Sequence, residues 1–172
     1  MPLALAACDA YICNMIQRIQ SIYLLLVALI AVYLIFANPR YAGFTGEGKN
    51  NESELHYVST QIYKGSEVPT AVNKWINVLI LLGIGAGSLF AIFLFKNREL
   101  QKKIAIYMCL LTAVFMLIMV MDFNSMRGQF PNSNSYPGLW SIFPFAMLIF
   151  LFLTWRSIRK DEDLLKSMDR IR

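Results

Sequence analysis

The sequence predicts an all-α integral membrane fold: four transmembrane helices, both termini cytoplasmic, a short β segment in the first outer loop and an amphipathic C-terminal helix. Three observations carry that prediction. Of 172 residues, 57% are apolar and 16% charged, and the mean hydropathy is +0.50; a soluble domain has about a quarter charged and under half apolar. The apolar residues are gathered into four long runs, which excludes both a disordered chain and a single soluble core. The basic residues are distributed unevenly around those runs.

The first run is Ile22–Ala37, extended upstream by Ile16 and Ile19, so the first span is placed at about 16–37. The others are 75–95, 104–121 and 139–155. Each approaches the roughly 20 residues needed to cross about 30 Å of hydrocarbon at 1.5 Å per residue. Unpaired backbone amides are not tolerated in lipid, so each run is read as a helix. Arg18, the four basic residues of 96–103 and the six after Trp155 make eleven on one side, against five on the other. The positive-inside rule therefore puts the termini and the middle loop in the cytoplasm. The net charge of +5 then follows from topology and attraction to anionic headgroups, without any nucleic acid. Trp75, Trp140 and Trp155 stand at run ends as interfacial anchors.

Residues 1–14 form an atypical extension. Leu5-Ala6-Ala7-Cys8 has the small-residue pattern of a lipoprotein cleavage site, but only four residues precede it, none basic. Met15, from which the chain runs directly into the first span, is read as the natural start, with 15–172 as the membrane domain.

The outer loops are 38–74 and 122–138. The first opens with turn and coil chemistry, Asn38-Pro39 followed by Gly43, Gly46 and Gly48. Leu55–Tyr63 has β-branched and aromatic composition and reads as one strand. One strand is not stable alone, so it pairs either with Tyr41–Thr45 or with a strand supplied in trans. The second loop is a run of turn formers that ends one helix and starts the next, and is placed to cover the first. His56, the single histidine, lies near Glu52 and Glu54, too few side chains for a zinc site.

Within the spans, Gly83 and Gly87 share one helix face and mark close helix packing. Pro144 frees the carbonyl near residue 140 and implies a kink in the first turns of span four. Asp122, at the outer end of span three, reads as an interfacial cap or as the partner of Arg127. Met108, Met116, Met119 and Met121 are read as packing rather than as a copper site, with no histidine or second cysteine beside them. No catalytic set, phosphate loop or convergent carboxylate pair is legible, and no cofactor is expected. In the tail, 156–172, Ile158, Leu164, Leu165, Met168 and Ile171 make an apolar stripe at helical spacing.

Four spans and a large first outer loop resemble the layout of the claudins. This loop lacks a cysteine pair, however, and Gly138-Leu139-Trp140 stands at span four, so that family is not adopted. The segments MIQRIQSIYLLL at Met15, FKNREL at Phe95 and RSIRKDEDLLKSMDRIR at Arg156 resemble domain-of-unknown-function family 4293, small four-span proteins of Bacteroidota. The resemblance runs from Met15 to the C-terminus and implies a protein of the bacterial cytoplasmic membrane, with no activity attached. Its motif positions here are Gln17, Arg18, Gln20 and Tyr23 at the front, and Arg159, Lys160, Asp161, Glu162, Asp169 and Arg170 at the back. On the cytoplasmic side these place Arg18 to pair with Asp161 or Glu162. The function expected is a non-enzymatic membrane scaffold or accessory subunit, with a membrane-protein partner or self-association. The alternatives are a small oligomeric transporter or channel, and an enzyme acting on lipid or quinone.

Overall fold

The computed structural model describes residues 2–45, 51–64, 70–94, 97–129 and 134–169, with backbone only at 2–19, 51, 64, 70, 98 and 161–169. In chain order the elements are α1 (Pro2–Ala37), β1 (Arg40–Thr45), β2 (Asn51–His56), β3 (Ser59–Lys64), β4 (Thr70–Asn73), α2 (Trp75–Phe93), α3 (Arg98–Gln129), β5 (Asn134–Pro137), a 3-10 turn (Leu139–Ser141) and α4 (Ile142–Asp169).

All four helices are long and apolar enough to cross a membrane. α1 lies against α2 and α4, and α3 lies against the same two. Buried positions recur at three- and four-residue spacing: Leu24, Val27, Ala31 and Leu34 on α1, Leu81, Ile84 and Ser88 on α2, Thr112, Phe115 and Met119 on α3, Met147, Leu151 and Thr154 on α4. This period brings one stripe of each helix to the centre. Yet only 22–33% of each helix's most apolar stretch is buried inside the protein. The rest is an apolar exterior, with Phe36, Phe93 and Leu139 largely exposed, as lipid-facing helices require. Ser88, Thr112 and Thr154 are buried, and each hydroxyl donates to the carbonyl four residues back in its own helix, which satisfies it without an interhelical partner.

The all-α expectation is corrected at one end of the bundle. There the connections form a five-stranded antiparallel sheet in the order β4-β3-β2-β1-β5. The first four strands are a meander within the α1–α2 connection, and β5, from the α3–α4 connection, adds to the free edge of β1. The segment read as one strand, Leu55–Tyr63, is two, bent at Tyr57-Val58. Its pairing with 41–45 is present as the β1–β2 ladder. Gly43 lies inside β1 rather than in coil, while Gly46 and Gly48 fall outside the described residues. A register shift between Arg40 and Ala42 leaves Tyr41 as an extra residue on β1. Such a bulge re-aims its side chain, and Tyr41 is turned down onto the helices.

Two further readings change. α3 runs on to Gln129, so the second connection begins well past Asp122. Pro144 lies in the first turn of α4, after a 3-10 turn; first-turn amides have no intrahelical acceptor, so the proline interrupts nothing there. The tail continues α4 to Asp169 as one helix, in keeping with its apolar stripe at helical spacing.

Candidate functional site at the junction of sheet and helices

The sheet is joined to the bundle by a polar cluster around Lys74, Asp122, Tyr41, Tyr57 and Asn77. Lys74 precedes α2, and its backbone amide donates to Val58 O at 2.7 Å. Its Nζ lies 2.9 Å from Asp122 Oδ2 on α3, donates to Tyr41 Oη at 3.2 Å and stands 5.4 Å from the centre of that ring. One cation thus ties α2, α3 and β1 together. Burial pushes the Lys74 amine below the usual lysine range, against which the hydrogen bond and charge of Asp122 pull it back. Tyr41 and Tyr57 are both shifted upward by burial, Tyr41 further by the Asp122 carboxylate, so both hydroxyls keep their protons.

Tyr57 occupies the bend between β2 and β3 and is fully buried. Its ring packs 5.1 Å from Tyr41 and 6.1 Å from Phe115 of α3. Its hydroxyl donates to Trp140 O at 2.6 Å. That carbonyl belongs to the 3-10 turn ahead of α4, which gives the sheet a docking point there. The buried Asn77 amide donates to Tyr57 O at 3.1 Å. On the other flank, Asn38 ends α1 with φ of 41°, a left-handed conformation that asparagine tolerates better than most residues. Its Oδ1 accepts from Val58 N at 2.8 Å, its Nδ2 donates to Ser59 Oγ at 3.0 Å, and its carbonyl oxygen lies 2.7 Å from His56 Nδ1. His56 Nε2 lies 3.3 Å from Glu54, which also binds Arg40.

Beside the cluster is an apolar groove of about 250 Å³. Met116, Val120 and Phe123 of α3 form one wall, Pro144 and Phe145 of α4 the other, and Ala42 of β1 the roof. The Tyr41 ring separates groove from cluster; Lys74 and Asp122 do not line it. Among the described residues no group of three or more His, Cys, Asp or Glu side chains converges to hold a metal ion. The cluster's polar groups point at one another and at backbone carbonyls, and so clamp the sheet to the helices.

Of the positions singled out in the sequence, Asp122 and Pro144 meet at this junction. Asp122 pairs with Lys74 in place of the anticipated Arg127. Gly83 and Gly87 both face α3: a Cβ added at Gly83 meets Leu111 at 3.5 Å, and one at Gly87 meets the end of Met108 at 2.1 Å. Arg159 stacks over Trp155 at 5.6 Å, and Lys160 is exposed. The side chains of Arg18, Asp161, Glu162 and Asp169, and all of Arg170, lie outside the described residues, and the anticipated Arg18 pair with them. At that end α1 and α4 are joined by Gln20 Nε2 donating to Ser157 Oγ at 3.4 Å.

Comparison with protein families matches residues 16–171 to the Domain of unknown function (DUF4293). The chain belongs to the DUF4293 family. No curated protein and no solved structure matches it. In this DUF4293 protein the sequence does carry a signal for the Lys74–Asp122 pair. Lys74 and Asp122 are the first charges beyond the same end of two consecutive apolar runs, and a tight antiparallel link sets such ends at one level. Tyr41, Tyr57 and Asn77 had no such signal, because their partners come from distant elements.

Proposed function

We propose that this DUF4293 protein is a non-enzymatic scaffold or accessory subunit of a bacterial cytoplasmic membrane, of the Bacteroidota type its terminal segments resemble. In this reading the four helices span the bilayer with both termini inside, contact anionic headgroups on the cytoplasmic side, and hold the sheet outside for a membrane-protein partner. The supporting observation is the clamp. Lys74, Asp122, Tyr41, Tyr57 and Asn77 fix the sheet on α2, on α3 and on the turn before α4. A rigidly mounted sheet with short outer strands at β4 and β5 suits recognition by strand addition, in which backbone hydrogen bonds supply affinity. The buried hydroxyls, turned back on their own helices, speak against a polar path through the bundle.

The test is mild-detergent purification of the tagged protein from its native membrane, with mass spectrometry of what accompanies it. A stoichiometric partner that crosslinks to 70–73 or 134–137 supports the reading. Recovery alone with a defined small molecule replaces it with transport or membrane enzymology.

A further inference from the structure

We infer that the groove between α3 and α4 is a binding site for one acyl chain of an anionic glycerophospholipid, whose phosphate is held by Arg127. The inference rests on the membrane-spanning reading but not on the scaffold role. Its first support is the lining. The groove is apolar along its length and opens sideways between Val120 and Phe145, both more than half exposed. At about 250 Å³ it falls below the roughly 300–1,000 Å³ of pockets that enclose whole small molecules, a size for a chain segment entering from the bilayer.

The second support is charge. Met116, Val120, Phe123 and Arg127 follow one another at spacings of four, three and four on α3, which puts Arg127 on the same face, one turn beyond the groove. Helical side chains lean toward the N-terminus, so the guanidinium leans back over Phe123 and the groove mouth. Arg127 is exposed and has no ion-pair partner among the described residues. Among the described side chains, the other lysine and arginine at this end are engaged, Arg40 by Glu54 and Lys74 by Asp122.

Depth is the third support. The apolar run of α3 ends at Met121, and Arg127 lies six residues on, about 9 Å at 1.5 Å per residue. Headgroups add roughly 5–8 Å to each side of the hydrocarbon, so an arginine reaching back meets the phosphate level. Its planar fork binds a phosphate through two hydrogen bonds.

The experiment reconstitutes the full chain in phosphatidylcholine vesicles containing phosphatidylglycerol, each lipid in turn carrying a photoreactive acyl chain, and maps labelled peptides by mass spectrometry. The expected result is labelling concentrated at 116–123 and 141–145, with phosphatidylglycerol preferred roughly fivefold, as about one favourable basic contact provides. Arg127→Glu brings that preference to about one while the same peptides remain labelled, and Arg127→Lys restores part of it. Val120→Trp fills the groove and removes its labelling, whereas Val114→Trp, on another exposed face of α3, leaves it. Labelling spread evenly over all exposed helix faces, or a preference unchanged in Arg127→Glu, overturns the site. Failure to label any helix refutes the membrane reading itself.

Discussion

Two residues bear more of the architecture than their type announces. Asn38 is the one non-glycine residue with positive φ among those described, and its amide bonds both Val58 and Ser59. Asn38→Gly loses the two side-chain hydrogen bonds, at about 1 kcal/mol each, but keeps the backbone relaxed. Asn38→Ala adds the left-handed penalty of about 1 kcal/mol or more. Alanine is therefore expected to be the more damaging substitution, and equal unfolding midpoints in detergent would remove backbone strain from the account. Lys74 makes a prediction in pH. Its folded-state pKa lies below the ordinary 10.5, chiefly through burial. Between the lowered value and 10.5 the unfolded chain holds a proton that the folded one has shed. Stability from this group therefore rises as pH climbs through that window, and below it the full cost of the buried ammonium is present. The stability difference between wild type and Lys74→Met is expected to shift toward wild type over the same interval; a flat difference contradicts a desolvated lysine. At neutral pH Lys74→Met leaves Asp122 without its cation, and a double-mutant cycle with Asp122→Asn should return a coupling of about 1–3 kcal/mol.

At the scale of elements, legibility followed length. Four apolar runs were readable because nothing else keeps some 20 residues free of charge. The sheet showed only through Leu55–Tyr63 and its pairing with Tyr41–Thr45, since strands of four to six residues give little periodicity. The bend at Tyr57-Val58 had no turn-forming residue to betray it. Its backbone is held from afar: Val58 N donates to Asn38 Oδ1, and Val58 O accepts from Lys74 N. Tertiary hydrogen bonds stand in for local turn chemistry there, and no window of sequence contains them. Glycines show the same division. A Cβ on Gly83 meets only ordinary contact with Leu111 at 3.5 Å, so Gly83→Ala should be neutral or stabilising by up to about 0.5–1 kcal/mol, as alanine favours helix. Gly43 pairs with Tyr136 across β1 and β5, and a Cβ there falls 2.5 Å from that ring. Gly43→Val should loosen β5, raising amide exchange at 134–136 about tenfold, and Tyr136→Ala should relieve the clash in the double variant. Unchanged exchange in Gly43→Val would mean the ring moves aside at no cost.

For the whole molecule, the distribution of charge and the position of the sheet make one joint prediction about orientation. The sheet, the Lys74–Asp122 pair and Arg127 lie at one end of the bundle; the α2–α3 link, the Gln20–Ser157 contact and Arg159 lie at the other. Eleven of the sixteen basic residues belong to the second end or to the segments leaving it, and moving them across the bilayer is what the positive-inside rule forbids. The expected arrangement puts residue 125, near the sheet end of α3, outside, and residue 103, near its start, inside. α3 is a single helix from 98 to 129, so labels at these two sites report opposite faces of the membrane with no loop between them to confuse the reading. In a chain with Cys8, Cys13 and Cys109 replaced by alanine, a membrane-impermeant maleimide should modify Ser125→Cys in intact cells and Lys103→Cys only after lysis. The inverse pattern reverses the orientation and moves the sheet, with any partner it recognises, into the cytoplasm. Modification of both sites in intact cells means that α3 does not cross the bilayer, and the clamp would then have to be understood as part of a helical assembly covered by protein rather than by lipid.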